Sequence, residues 1–203
     1  MHDNFEIKSN FEDYKKIFLE ENSKHNLISK NDEKFLYEKH IYDSLSINLF
    51  LKKYNIKQAE LLDIGCGGGF PCVPIAIEHP ELKILGVDSI LKKIKSVENI
   101  KNALNLTNLT LIRERVENLN TYQFDIVTSR AVADLAKITE YALPKLKNGG
   151  YFVAYKSKKA LEEIENAKKI LKRYRAEIID IIEYSLPLED VYERNLVIIK
   201  KHG

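Results

Sequence analysis

Apolar residues recur along the chain of 203 residues in two rhythms. Near the start they fall three and four apart, the spacing that gathers side chains on one face of a helix. Phe11, Tyr14, Phe18 and Leu19 form one such stripe. A second begins at Asp32, a candidate N-cap, and continues through Phe35, Leu36, Ile41, Leu45, Leu49 and Leu51. Between them lies a polar turn over 22–31, with Leu27 and Ile28 at its apolar centre. After Tyr54 and Asn55 short apolar runs alternate with helical stripes. The pattern predicts strands over 60–64, 83–87, 109–113, 124–128, 150–156, 177–184 and 195–200. It predicts helices over 71–78, 90–104, 135–146 and 158–174. Such alternation builds right-handed βαβ units around a mainly parallel sheet. The last two strands are joined only by a loop holding Pro187, Glu189 and Asp190, which favours an antiparallel hairpin at one edge.

Composition narrows the class. The chain suits one α/β unit: a helical extension over 1–55 and a main domain over 56–203, folded together. Its two cysteines, Cys66 and Cys72, sit in or beside a glycine-rich loop, so they make neither a disulfide framework nor a zinc site, and no metal is expected. A reduced, cytoplasmic setting fits that usage. No apolar run approaches the roughly 18 residues of a membrane span, and residues 1–10 lack the apolar stretch of a signal peptide. A net charge of +2 does not announce a nucleic-acid binder. The stretch 156–175, with eight Lys and Arg against three Glu, is either a solvated helix face or a flank for RNA phosphates. Nothing resembles a dimerisation helix, so a monomer is expected.

The chemistry concentrates after the first strand. Gly65, Gly67, Gly68 and Gly69 follow it at once, and Pro71 suits the first turn of the next helix. A strand, a glycine turn and a helix start form the context of a nucleotide-binding loop. The dinucleotide pattern needs a sixth-position glycine, yet Phe70 stands there. Instead the strand carries Asp63, giving D-x-G-x-G-x-G. A carboxylate has no use beside a pyrophosphate. It suits a ligand with an ammonium group and a sulfonium, which points to S-adenosylmethionine, held directly or through water. Asp88, 23 residues after Gly65, can accept both ribose hydroxyls or cap the following helix. In related methyltransferases the adenine lies against the loop after the third strand, where Val116 would pack on the base; the alternative is an ordinary turn. Seven strands with a reversed edge strand is the arrangement of a Rossmann-like class I methyltransferase.

Five segments then resemble one family. Residues 65–74, Gly-Cys-Gly-Gly-Gly-Phe-Pro-Cys-Val-Pro, are similar to the G-x-G-x-G-F-P-G-x-P motif of the RsmG (GidB) ribosomal RNA methyltransferases. His25-Asn26-Leu27-Ile28 with His40-Ile41-Tyr42-Asp43-Ser44-Leu45, Val87-Asp88-Ser89 with Lys92-Lys93, Ser129-Arg130-Ala131-Val132-Ala133, and Tyr155-Lys156-Ser157 resemble its other motifs in order. Cys72 and Ser157 stand where the family usually has Gly, and Ile28 where it has Thr. The resemblance implies methylation of a guanine N7 in 16S ribosomal RNA, with that RNA or a small-subunit precursor as partner. By motif position, Gly65, Phe70, Val116, Glu117 and Arg130 would contact the cofactor, alongside Asp63, Gly67, Gly69 and Asp88 from the loop pattern.

Guanine N7 carries a free lone pair, so no general base is expected. The chain has neither an Asn-Pro-Pro-Tyr motif for exocyclic amines nor a Pro-Cys pair for cytosine C5. Rate would come from alignment. Arg130 and Lys156, each expected at the carboxyl end of a strand, are candidates to position the base through O6. The bland alternatives are a structural salt bridge for Arg130 and a solvent-facing strand end for Lys156. His40 and Asp43 share one helix face and either close over the site, touch RNA or serve the interface. Competing functions are a methyltransferase for another RNA or a small molecule, an NAD-dependent oxidoreductase, and a non-catalytic RNA-binding assembly factor.

Overall fold

The computed structural model describes residues 5–119, 123–158 and 160–203. Residues 1–4 of the polar N-terminus and Lys159 of the basic stretch lie outside them. Seven strands form one sheet: β1 (Glu60–Ile64), β2 (Lys83–Asp88), β3 (Leu109–Arg113), β4 (Phe124–Arg130), β5 (Leu146–Ser157), β6 (Ala176–Leu186) and β7 (Tyr192–Lys201). Their order is β3-β2-β1-β4-β5-β7-β6. The first five are parallel, and β7 runs antiparallel to both β5 and β6. The reversed strand thus threads between β5 and β6, one place in from the edge. Its reversal brings its first residues to the carboxyl ends of β4 and β5.

Helices cover both faces. The chain begins with α1 (Glu12–His25), α2 (Lys30–Glu33), a π-helical segment over Leu36–Tyr42, α3 (Asp43–Leu45) and α4 (Ile47–Lys53). The single helix expected from Asp32 is therefore broken. Ser29 caps α2 instead: its hydroxyl accepts from the Asp32 amide and donates to the Asp32 carboxylate. The crossover helices are α5 (Cys72–Glu78), α6 (Leu91–Ala103), α7 (Leu135–Ala142) and α8 (Ala160–Arg173). Pro71, after a cis peptide, is the N-cap of α5. The helix starts at Cys72, one residue later than expected.

The core explains the placement. Along β1, Leu61 faces a cluster with Phe18, Phe50, Ile75 and Val97, while Leu62 and Ile64 face one with Ile138, Phe152 and Ala167. This period-two division is what a strand covered on both faces requires. Each fully buried Leu or Ile contributes roughly 1.5–3 kcal/mol. The N-terminal helices lie in the first cluster beside α5 and α6, so the extension shares a core with the sheet. In α8 the basic stretch is a solvated face, with Lys168 paired to Glu165 and Arg173 to Glu140, over buried Ala167 and Leu171. No helix among the described residues is long and apolar enough to cross a membrane.

Candidate active site

The glycine loop lies at the carboxyl end of β1, between β2 and β4. Strand order reverses there, because the chain adds strands to one side of β1 and then to the other. Open α/β sheets hold ligands at such a switch point. A cleft of about 630 Å³ occupies it, and Gly65, Gly67, Asp88, Val116, Glu117 and Arg130 all line it. Gly65 has φ +69°, and a Cβ there would sit 2.6 Å from Cγ2 of Val132. The absent side chain lets the loop run directly under Val132. Leu27, from the polar turn of the extension, closes over Gly68 from the other side, 3.1 Å from where its Cβ would be.

Asp88 ends β2 with both carboxylate oxygens in use. One accepts from the Gly67 amide at 2.9 Å and the other from the Ile90 amide at 2.8 Å. It holds the glycine loop and starts α6 together, and each oxygen keeps a lone pair toward the cleft. Val116 and Glu117 form the wall after β3, where Glu114 braces the turn by accepting from the Arg115 amide and the Asn118 side chain.

Two expected cofactor residues lie behind the loop. Asp63 is fully buried and does not line the cleft. By strand alternation it points with Leu61 toward α5, where its carboxylate accepts from the Cys72 amide at 3.3 Å and the Thr128 hydroxyl at 3.0 Å. The acidic rim expected from Asp63 is therefore corrected: this residue props the loop from beneath. Burial pushes its carboxyl up to about 7, against the pull of those two hydrogen bonds. Gly69 likewise faces inward, where a Cβ would meet Val73 at 2.8 Å.

Arg130 ends β4 and turns toward the extension. Its guanidinium donates to the Asp43 carboxylate at 2.9 Å, the Lys39 carbonyl at 3.1 Å and Nδ1 of His40 at 3.0 Å. Arginine only donates, so His40 carries its proton on Nε2. Burial, then the Arg130 charge, push the His40 imidazole down to about 4. Phe70 supports both, with its ring centroid 5.1 Å from the Arg130 guanidinium and 4.9 Å from the His40 ring. Asp43 also accepts from the Tyr184 hydroxyl at 2.7 Å, and the Tyr155 hydroxyl donates to the Ser44 carbonyl at 2.7 Å. Strands β4, β5 and β6 thus each send one side chain to pin the segment 39–44.

Lys156, next to last in β5, lines the second cavity with its side chain only 10% exposed. It donates to the Ala133 carbonyl at 2.7 Å and pairs with Glu163 at 2.8 Å, and Glu163 also accepts from the Leu135 amide. The expected free cation is instead a brace for the loop 131–134, in which Ala131 holds φ +56°. A second cavity, of about 730 Å³, adjoins the first and shares Asp32, His40, Arg130, Ala131 and Val132 with it. Sequence reasoning missed its far wall, Tyr192 and Arg194. They stand at the start of β7, and only the strand reversal carries them to this edge. Among the described residues no cluster of His, Cys, Asp and Glu could cage a metal ion.

A family model described as GidB, rRNA small subunit methyltransferase G, matches residues 7–192. The chain belongs to the GidB family. Among its relatives, ribosomal RNA small subunit methyltransferase G of Staphylococcus carnosus is 36% identical over 202 residues, covering 97% of this chain and 83% of that protein. The protein of the same name from Thermoanaerobacter sp. is 40% identical over 197 residues, covering 94% and 80%. Among solved structures, an S-adenosylmethionine-dependent methyltransferase from Clostridium acetobutylicum superposes with TM-score 0.62 at 18% identity, covering 85% of this chain and 99% of that one. An S-adenosylmethionine-dependent O-methyltransferase from Thermotoga maritima does so with TM-score 0.58 at 18% identity, covering 80% and 65%. At that identity the likeness concerns the fold, which the GidB chain shares with class I methyltransferases.

Proposed function

We propose that the protein transfers a methyl group from S-adenosylmethionine to N7 of a guanine in 16S ribosomal RNA, naked or within a small-subunit precursor. The observation that carries this is the glycine-floored cleft at the sheet's switch point in a chain of the GidB family. Its groups suit the donor. Asp88 retains lone pairs for ribose hydroxyls, Val116 offers an apolar wall to an adenine, and Gly67, where a Cβ would meet only the Gly65 carbonyl at 3.8 Å, admits close backbone approach. When bound, the donor supplies an electrophilic methyl on a sulfonium.

The protein's own groups then orient and exclude water. N7 needs no deprotonation, and the cleft fits that demand: the His40 acceptor nitrogen is already taken by Arg130. Arg130 fixes the wall between the two cavities, and Lys156 fixes the loop beside it, so both act by positioning. Holding the reacting atoms in line supplies the rate. We place the work in the cytoplasm, performed by a monomer. Calorimetry against S-adenosylmethionine and NAD, followed by methyl transfer to 16S RNA from cells lacking the protein, tests the proposal. Binding of S-adenosylmethionine alone and a new N7-methylguanine are expected. Binding of NAD, or a methyl on another atom, would overturn it.

A further inference from the structure

The two cavities meet at a wall made by Asp32, His40, Arg130, Ala131 and Val132. In-line transfer needs the acceptor atom beside the donor, so a base seated in the second cavity would reach the first across that wall. Its cations differ in availability. Arg130 has three protein acceptors and Lys156 two. Lys39 pairs with Asp32 at 3.0 Å and lies over the Phe35 ring. Arg194 is different. Its guanidinium donates no hydrogen bond among the described residues, and the nearest carboxylate oxygen, on Asp43, is 4.0 Å away. Its side chain is 29% exposed and none of its guanidinium nitrogens is buried without a partner, so the stem is covered while the fork stays open on the cavity wall. A fork of donors held open on a cavity wall is suited to an acceptor brought by a ligand.

Beside it, Tyr192 is 43% exposed, and the Arg194 guanidinium lies 5.5 Å from its ring centroid. A planar cation next to an open aromatic face is a surface on which a flat heterocycle stacks. Taking guanine N7 as the methyl acceptor, as proposed above, we infer that the second cavity receives the flipped nucleobase, with Arg194 as its specificity-determining residue and Tyr192 as its stacking face. Arg194 donates to O6 alone, because N7 must keep its lone pair for the methyl. This differs from the usual two-point grip of arginine on O6 and N7. Adenine offers an amino group at the same place, which Arg194 cannot serve.

The test is steady-state methyl transfer to unmethylated small-subunit RNA by wild type, Arg194→Gln, Arg194→Lys and Tyr192→Ala, with cofactor affinity by calorimetry and thermal midpoint alongside. Arg194→Gln is expected to lower kcat/KM by about 10- to 100-fold with cofactor affinity and midpoint unchanged. Tyr192→Ala should lower it by a comparable factor, and Arg194→Lys should recover part of the loss. Undiminished transfer by Arg194→Gln would overturn the inference. So would a parallel fall in midpoint and cofactor affinity, which marks a structural role. A weakened RNA affinity with a shallower salt dependence would mark a phosphate contact and overturn it too. If the wild type methylates some other base, the guanine proposal fails, while dependence of that transfer on Arg194 still decides the cavity's role.

Discussion

Arg130 and Asp43, 87 residues apart in the chain, meet at 2.9 Å in a nearly closed setting, with side chains 16% and 6% exposed. The pair joins the end of β4 to the start of α3. It therefore couples the N-terminal extension to the wall that divides the two cavities.

Removing one partner strands the other charge. Asp43→Ala would leave Arg130 without its carboxylate and the Tyr184 hydroxyl without its acceptor. A loss of about 3–5 kcal/mol is expected, typical of a broken buried pair. Urea denaturation measures it. A loss under about 1 kcal/mol would place the pair with ordinary surface bridges.

Asp63 and His40 tilt the pH dependence of stability in opposite directions. The Asp63 carboxyl is raised in the fold from 3.8 to about 7 by burial, so the stability tied to its proton is full below about 4 and is lost as pH rises through about 7. His40 is lowered from 6.5 to about 4, chiefly by burial, so its contribution is present above about 6.5 and is lost as pH falls through about 4. Between those limits the slopes partly cancel. Asp63→Asn should leave stability rising with pH across this window, and His40→Gln should leave it falling. Denaturation midpoints at several pH values check both slopes, and unchanged profiles would contradict the assigned environments.

Gly65 and Gly149 both hold left-handed φ, at +69° and +83°, but only Gly65 has a neighbour in the way. Alanine at either site carries a strain of about 1–2 kcal/mol. Gly65→Ala must also push Val132 out of its place in the cleft wall, so it should weaken cofactor binding markedly. Gly149→Ala should leave that binding intact. Calorimetry of the two variants separates local strain from cleft geometry.

Asp88→Ala removes the acceptor for the Gly67 and Ile90 amides and, under the proposed function, for a ribose. Cofactor affinity should fall at least about tenfold. Asp88→Asn, which keeps one acceptor, should fall less. Equal affinities for both variants and the wild type would remove Asp88 from the site.

The sheet was legible because each strand and crossover helix carries its own period, and those periods survive burial on both faces. The glycine loop, Asp88, Val116 and Arg130 were legible for a related reason: they sit at strand ends, where position alone brings them together. What escaped depends on partners distant in sequence. Asp63 looks like a rim carboxylate until strand alternation turns it toward Thr128. Lys156 looks free until Glu163 arrives from α8. Ser29 rather than Asp32 begins a helix, because a short capped turn and a π-helical segment replace the continuous stripe. Tyr192 and Arg194 carry no local mark at all. Their place depends on β7 entering the sheet between β5 and β6.

The most direct test of the central claim is mass mapping of 16S ribosomal RNA from cells with and without this protein. Loss of one N7-methylguanine, restored by the wild-type chain and not by Gly65→Ala, is the expected result. Retention of every guanine N7 methyl in cells lacking the protein would contradict it.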